Sequence, residues 1–221
     1  MEGKMRKEHG MIDHTELQAA IGNKRSCNSV GAYYLLPALI WAHRADTIIE
    51  IGVRKGYTTS IFANVLKQLF GDAGRLISVD IDPNAINTAI DIHAEHLSLH
   101  NCVQHLGNSA LCPYDECLDD IGAPDGKAKL IYVDGDHKTE AAKRDILATI
   151  PYLADDGVMV LHDFDHYMLP DGQNVPLAFA ETLKIRGYNC SIFPSAIGRP
   201  FAVCHKPGFF VNGIKPEQRK W

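Results

Sequence analysis

The sequence predicts an α/β fold: a doubly wound, mostly parallel sheet of seven strands with helices on both faces, in a single domain of 221 residues. Three observations carry this expectation. Short apolar runs ending at Gly or Asp alternate with stretches of helical spacing, the pattern of strand–helix–strand units. Several of these runs are apolar almost without interruption, as strands covered on both faces must be. The last two strands lie too close in sequence to hold a helix between them, so they pair antiparallel at an edge.

The elements follow in order. Residues 1–46 precede the first strand. They carry helical stretches at 15–21 and 32–43 and are expected to cap the sheet or cover a site. Thr47-Ile48-Ile49-Glu50-Ile51-Gly52 is β-branched and stops at glycine, which reads as a strand. A helix over 57–69 places Ile61, Val65, Leu66 and Leu69 on one side, and Gly71 and Gly74 end it. Residues 75–80 form the second strand. Pro83 then opens a helix on which Ile86, Ile90 and Leu97 are spaced for burial. Residues 102–106 make a short strand and 129–134 a stronger one. A helix over 139–153 carries Ala142, Ile146 and Ile150, and 157–161 is a continuous apolar strand. A helix over 175–186 and strands at 188–193 and 200–204, joined by a turn at 195–199, complete the chain.

Composition narrows the function. With 46% apolar and 22% charged residues, the chain is neither a disordered tail, a collagen nor a coiled coil. No apolar run reaches the roughly 18 residues a membrane span needs, and residues 1–7 do not lead into the apolar stretch of a signal peptide. A net charge of −5 argues against a dedicated nucleic-acid binder, which needs a basic face. The six cysteines (Cys27, Cys102, Cys112, Cys117, Cys190, Cys204) form no C-x-x-C pair, and several sit inside strand-like runs. They are expected to be reduced core thiols of a cytoplasmic protein.

In a doubly wound sheet, ligands bind beyond the carboxyl ends of the strands. The loop after the first strand, Glu50-Ile51-Gly52-Val53-Arg54-Lys55-Gly56, keeps a glycine for the turn and one at the helix start. It departs from the G-x-G-x-x-G dinucleotide fingerprint, with Arg54 where the second glycine belongs. Such a loop suits a nucleoside ligand better than a pyrophosphate. The second strand ends at Asp80, where a carboxylate can accept ribose hydroxyls, while Asp82 before Pro83 is the better helix cap. The third strand ends at Gly107-Asn108-Ser109, small and polar enough to meet a base edge.

On these motifs, with Val133-Asp134-Gly135-Asp136-His137 and Val160-Leu161-His162-Asp163, the chain resembles the class I S-adenosylmethionine-dependent methyltransferases. Over roughly residues 30–206 it is most similar to the small O-methyltransferases of the catechol type and the methyltransferase-24 group. The resemblance implies a Rossmann-like sheet of order 3-2-1-4-5-7-6. It also implies S-adenosyl-L-methionine held by Glu50, Gly52, Gly56, Tyr57, Thr58, Asp80, Ile81, Asn108, Ser109 and Asp134. Methionine would lie near residues 50–56, ribose on Asp80 and adenine near Asn108 and Ser109. Catechol-type members place an amide or acid just after the Ser109 position to meet the adenine amine; here Ala110 stands there.

The densest polar clusters follow the fourth and fifth strands: Asp134-Gly135-Asp136-His137 and His162-Asp163-Phe164-Asp165-His166. Neighbouring strand ends are about 5 Å apart. Converging carboxylates would repel, raising one pKa, unless a cation lies between them. A divalent ion is therefore expected on Asp134, His162 and Asp163. Mg²⁺ or Mn²⁺ suits oxygen ligands, and the histidine admits Fe²⁺, Co²⁺ or Zn²⁺. In the catechol-type relatives the equivalents of both Asp134 and Asp163 are metal ligands. His137 is the candidate general base, with Asp136 orienting it or facing solvent, and Asp134 joins it as a catalytic residue. His93, His96 and His100 share a helical spacing but are read as a solvated face, not a metal site.

The expected function is metal-assisted O-methylation of a small-molecule hydroxyl, with no nucleic-acid or membrane partner. Two alternatives stand beside it: a nicotinamide-dependent oxidoreductase, against which Arg54 counts, and a catalytically silent nucleoside-binding protein of the same fold. The acceptor's identity and the oligomeric state, homo-oligomer included, are not written in any motif.

Overall fold

The structure, a computed structural model, describes residues 12–21, 29–164, 174–193 and 199–207. Seven strands form one sheet: β1 (Thr47–Ile51), β2 (Arg75–Asp80), β3 (Cys102–Leu106), β4 (Ala128–Val133), β5 (Leu153–Leu161), β6 (Asn189–Phe193) and β7 (Phe201–His205). Their order is β3-β2-β1-β4-β5-β7-β6. All neighbours pair parallel except β7, which runs antiparallel to both β5 and β6. The expected sheet order and antiparallel final pair are those found.

The alternation of side chains along each strand sends two apolar sets to opposite faces. Ile48, Leu76, Leu130, Tyr132, Val158 and Val160 face helices α1 (His14–Ile21), α2 (Ser29–His43) and α3 (Tyr57–Phe70), whose Leu17, Leu36, Ile40, Ile61 and Leu66 close that side. Ile49, Ile77, Ile131, Met159 and Leu161 face α5 (Tyr114–Asp120), α6 (Thr139–Thr149) and α7 (Val175–Thr182). Fully burying one such aliphatic side chain contributes about 1.5–3 kcal/mol, so the two faces together dominate stability. α1 and α2 thus belong to the layer that covers the sheet.

Several boundaries differ from expectation. α6 stops at Thr149 because Pro151 has no N–H to donate to the Leu147 carbonyl, and the chain tightens into a 3₁₀ turn over Ile150–Tyr152; β5 then begins at Leu153, not Gly157. Its first part, with Asp155 and Asp156 exposed, is polar and gave no strand signal. α7 ends at Thr182, and a 3₁₀ turn at Lys184–Arg186 closes on Gly187 with φ +80°. The short helix α5 lies between β3 and β4, a stretch for which no element is expected above.

Helix α4 (Pro83–His96) starts as anticipated, with Asp82 Oδ1 accepting from Asn84 N at 2.9 Å. Its buried face is Ala85, Ile86, Ala89, Ile92 and His93, whereas Ile90 is exposed. His93 is a core histidine, not part of a solvated face. Its ring lies between the Ser78 hydroxyl and the Gln104 amide, and burial pushes its pKa down to about 4. His100 stands beyond the helix in a 3₁₀ turn. Cys102, Cys112, Cys117, Cys190 and Cys204 are free thiols. Cys27, Asp165, His166, residues 1–7 and most of the 195–199 turn lie outside the described residues. Among the described residues, no helix is long and apolar enough to cross a membrane.

Candidate active site

The carboxyl ends of β1 to β5 open onto a cavity of about 900 Å³. Its walls are built by the loops that follow those strands, and the close packing of the loops explains the glycines. Gly52 has φ +90°, and a Cβ there would lie 2.1 Å from the Asp134 carbonyl oxygen. Only glycine lets the β1 loop lie against the end of β4. Gly56, with φ +70°, has a different reason from the one expected. A Cβ would meet Ile92 Cδ1 at 2.4 Å and Thr88 Cγ2 at 2.8 Å, so the position serves close packing on α4. It does not line the cavity.

Asp80 holds this loop. Its Oδ2 accepts from Val53 N at 2.8 Å and Arg54 N at 3.0 Å, and its Oδ1 from Asp82 N at 2.9 Å. A carboxylate offers about four acceptor sites, so room for roughly one further donor is left on the cavity side. Ile81 beside it is 75% exposed, an apolar surface at the cavity wall. Glu50 lies behind the wall, fully buried. It accepts from Thr58 Oγ1 at 2.6 Å, Thr59 Oγ1 at 2.8 Å and Ser78 Oγ at 2.9 Å. Burial outweighs these three donors and pushes its carboxyl up to about 7. Glu50 therefore ties the start of α3 to β1 and β2, while Tyr57 and Thr58 reach the cavity.

At the end of β3, Asn108 Oδ1 accepts from Ala110 N at 3.0 Å. The Ser109 hydroxyl donates to Asp145 Oδ1. Asp145 was not anticipated. It sits on the buried stripe of α6 with Ala142, Ile146 and Thr149. An acid at a core-facing helical position was the available sequence signal. Burial pushes its pKa up to about 6.

The two polar clusters meet at the other end of the cavity. His162 Nδ1 lies 2.8 Å from Asp134 Oδ1 and 3.3 Å from Asp163 Oδ1. Tyr132 OH donates to Asp134 Oδ2 at 3.2 Å. His137 Nε2 lies 2.9 Å from Asp163 Oδ2, and Arg199 Nε lies 3.5 Å from Asp163 Oδ1. The partner of His137 is thus Asp163; Asp136 is exposed and caps the backbone at Lys138. At Asp163, burial opposes ionisation, but His137, His162 and Arg199 prevail and hold the carboxyl below its ordinary range. The elevation that a neighbouring bare carboxylate would cause does not occur at Asp163, because imidazoles stand beside it. The hydrogen bond to Asp163 outweighs desolvation and raises the pKa of His137. Asp163 itself is held at φ +52°, a strained backbone for a non-glycine residue of the kind that clusters at functional sites.

The donor set fits this corner to a divalent cation: one ligand atom from each of Asp134, His162 and Asp163 lies within 4.8 Å of the others, and on His162 it is Nδ1 that faces both carboxylates.

Comparison with known proteins agrees with this geometry. The methyltransferase-24 family, described as a methyltransferase domain, matches residues 49–164. No curated protein matches the chain in sequence. Among solved structures, the O-methyltransferase TomG from Streptomyces achromogenes, involved in tomaymycin synthesis and solved with S-adenosylmethionine, is 18% identical. The match covers 79% of this chain and 78% of TomG with a TM-score of 0.58. The S-adenosylhomocysteine-bound methyltransferase PaMTH1 from Podospora anserina is 11% identical over 90% of each chain, with a TM-score of 0.61. An O-methyltransferase from Bacillus cereus in complex with S-adenosylhomocysteine is 14% identical over 86% of each chain, with a TM-score of 0.55. At these identities the likeness is one of fold.

Proposed function

The chain belongs to the methyltransferase-24 family of class I methyltransferases, and from that premise we propose that it methylates a hydroxyl of a small molecule with S-adenosylmethionine, assisted by a divalent cation. The observation that carries the reading is the layout of one cavity. At one end are the nucleoside-holding groups Asp80, Ile81 and Ser109; at the other, His137, Asp134, His162 and Asp163 converge.

The donor supplies an electrophilic methyl on a sulfonium, and the protein's task is chiefly placement of the acceptor oxygen in line with it. His137 is equipped to take the hydroxyl proton. Its Nε2–H donates to Asp163, which leaves Nδ1 to receive a proton, and Asp163 stabilises the imidazolium that results. The side chain is 47% exposed, open to an acceptor entering from solvent. Asp134, His162 and Asp163 would hold the cation. When bound, it would supply Lewis-acid stabilisation of the developing oxyanion. Glu50 and Asp80 keep the β1 loop in the form that lines the cavity.

The test is transfer of label from S-adenosylmethionine, methyl-tritiated, to catechol, other phenols and sugar hydroxyls, with and without EDTA. Transfer that EDTA abolishes and Mg²⁺ or Mn²⁺ restores supports the reading. Full transfer in EDTA removes the cation and leaves His137 as a metal-free base. Asp134→Asn is expected to lose Mn²⁺ affinity and turnover together, with S-adenosylhomocysteine affinity changed less.

A further inference from the structure

We propose that Cys190 and Cys204 form a redox-active dithiol, a modification site that a hydroperoxide converts into a cross-strand disulfide, with Cys190 the reacting thiol and Cys204 the resolving one.

The pairing follows from the sheet. β6 and β7 run antiparallel, and Cys190 stands directly opposite Cys204 in their register. Directly opposed residues of such a pair point to the same face, with Cα atoms about 4.5–5.5 Å apart. A disulfide spans Cα separations of about 4.4–6.8 Å, so the bond can close without moving either strand. Both cysteines are free thiols in the structure, the resting form of a reversible pair.

The two thiols are not equivalent, and the difference assigns their roles. β6 is the outer strand of the sheet, and Cys190 is half-buried on it, within reach of a small oxidant. Cys204 is fully buried, with Cys190 opposite it on one side and Met159 of β5 on the other. The Cys204 thiol donates to the Cys190 sulfur, which draws Cys190 below the ordinary thiol range and, with burial, pushes Cys204 up. The accessible member is thus the one that more readily becomes the thiolate nucleophile. With hydrogen peroxide the steps balance. The Cys190 thiolate attacks one peroxide oxygen and breaks the O–O bond; that oxygen stays on sulfur as a sulfenic acid, and the other leaves as hydroxide and takes a proton to become water. Cys204 gives up its proton and displaces the sulfenic hydroxyl as a second water, closing the S–S bond. The two thiols lose two electrons and the peroxide gains them. Cys112 and Cys117 give an internal comparison: their thiols are also hydrogen-bonded, but both residues are buried. Contact between thiols is common to both pairs, and access from the sheet edge sets Cys190 and Cys204 apart.

Thiol mapping tests this on the full wild-type chain. The folded protein is treated with hydrogen peroxide at neutral pH, quenched at intervals with N-ethylmaleimide in denaturant, and digested without reduction for mass spectrometry. Cys190 and Cys204 should lose their alkylation in step, as one linked pair, at least about tenfold faster than Cys112 and Cys117, and dithiothreitol should restore both. In Cys204→Ser the sulfenic acid on Cys190 has no resolving thiol and should be trapped by dimedone. In Cys190→Ser, Cys204 should stay a thiol over the same time. Oxidation of Cys190 to sulfinic acid while Cys204 remains alkylatable would overturn the pairing, and this arm needs no variant to fold. Bridging of Cys112 to Cys117 ahead of the β6–β7 pair would overturn the assignment of the site. Oxidation of Cys204 in Cys190→Ser at the wild-type rate would overturn the assignment of roles.

Discussion

Replacing Asp80 by Asn separates a loop-holding carboxylate from an ordinary cap. The change is isosteric, yet an amide cannot do what this carboxylate does. Three backbone N–H groups point at it, two on Oδ2 and one on Oδ1. Turned so that its oxygen serves Val53 and Arg54, the amide presents its own N–H₂ to the N–H of Asp82. One bond is lost, a donor faces a donor, and the two remaining bonds lose their charge assistance. A hydrogen bond to a charged group contributes about 1.5–3 kcal/mol. Partial exposure of this site screens it, so a loss of about 2 kcal/mol is expected. For a chain of this size that is about 4–8 °C in Tm. Asp82→Asn is the matched control, since Asp82 acts as an N-cap through a single oxygen and Asn caps equally well. Urea unfolding of both variants, followed by circular dichroism at pH 7, measures the difference. S-adenosylhomocysteine affinity of Asp80→Asn should also fall, by at least tenfold. Equal midpoints for the two variants would refute the loop-holding role. A stability loss without an affinity loss would leave Asp80 a brace with no part in the ribose site.

Two further outcomes follow from the same geometry. Gly52→Ala places a Cβ 2.1 Å from a backbone oxygen at positive φ, while Gly122→Ala, also at positive φ, meets nothing within 4 Å. Gly122→Ala should cost about 1–2 kcal/mol from backbone strain, and Gly52→Ala at least about 2 kcal/mol more, read from urea midpoints. Glu50 is protonated in the folded protein up to about pH 7 but only to about 4.5 when unfolded, so its burial costs stability progressively as pH rises between those values. Glu50→Gln removes that cost. Its unfolding free energy relative to wild type should improve by about 3 kcal/mol between pH 4.5 and 8, and a pH-independent difference would contradict the assignment.

The parts legible in the sequence were those set by local pattern. A buried parallel strand must be apolar and must end in a turn, so Thr47–Ile51, Arg75–Asp80 and Ala128–Val133 announce themselves, and the residues at their ends announce the cavity. Asp82 before Pro83 is a cap by composition alone. What escaped was set by contacts between distant segments. His137 is adjacent in sequence to Asp136 but pairs with Asp163, and no spacing rule relates them. Arg199 reaches Asp163 from the approach to β7. Gly56 reads as a ligand-approach glycine, while its actual neighbour, Ile92, is on another helix. His93 and His96 read as a solvated face, yet His93 is buried against Ser78 and Gln104 and the His96 side chain is only 9% exposed. Asp145 breaks the apolar stripe of α6, a signal visible in the sequence but obscured by the acids around it.

The cavity beyond β1 to β5 is expected to take the nucleoside of S-adenosylmethionine. Calorimetric titration of the wild-type protein with S-adenosylhomocysteine, alongside NAD, measures this. Saturable one-to-one binding of S-adenosylhomocysteine, lost in Asp80→Ala and absent with NAD, is the predicted result. No heat with S-adenosylhomocysteine, or tighter binding of NAD, would contradict it.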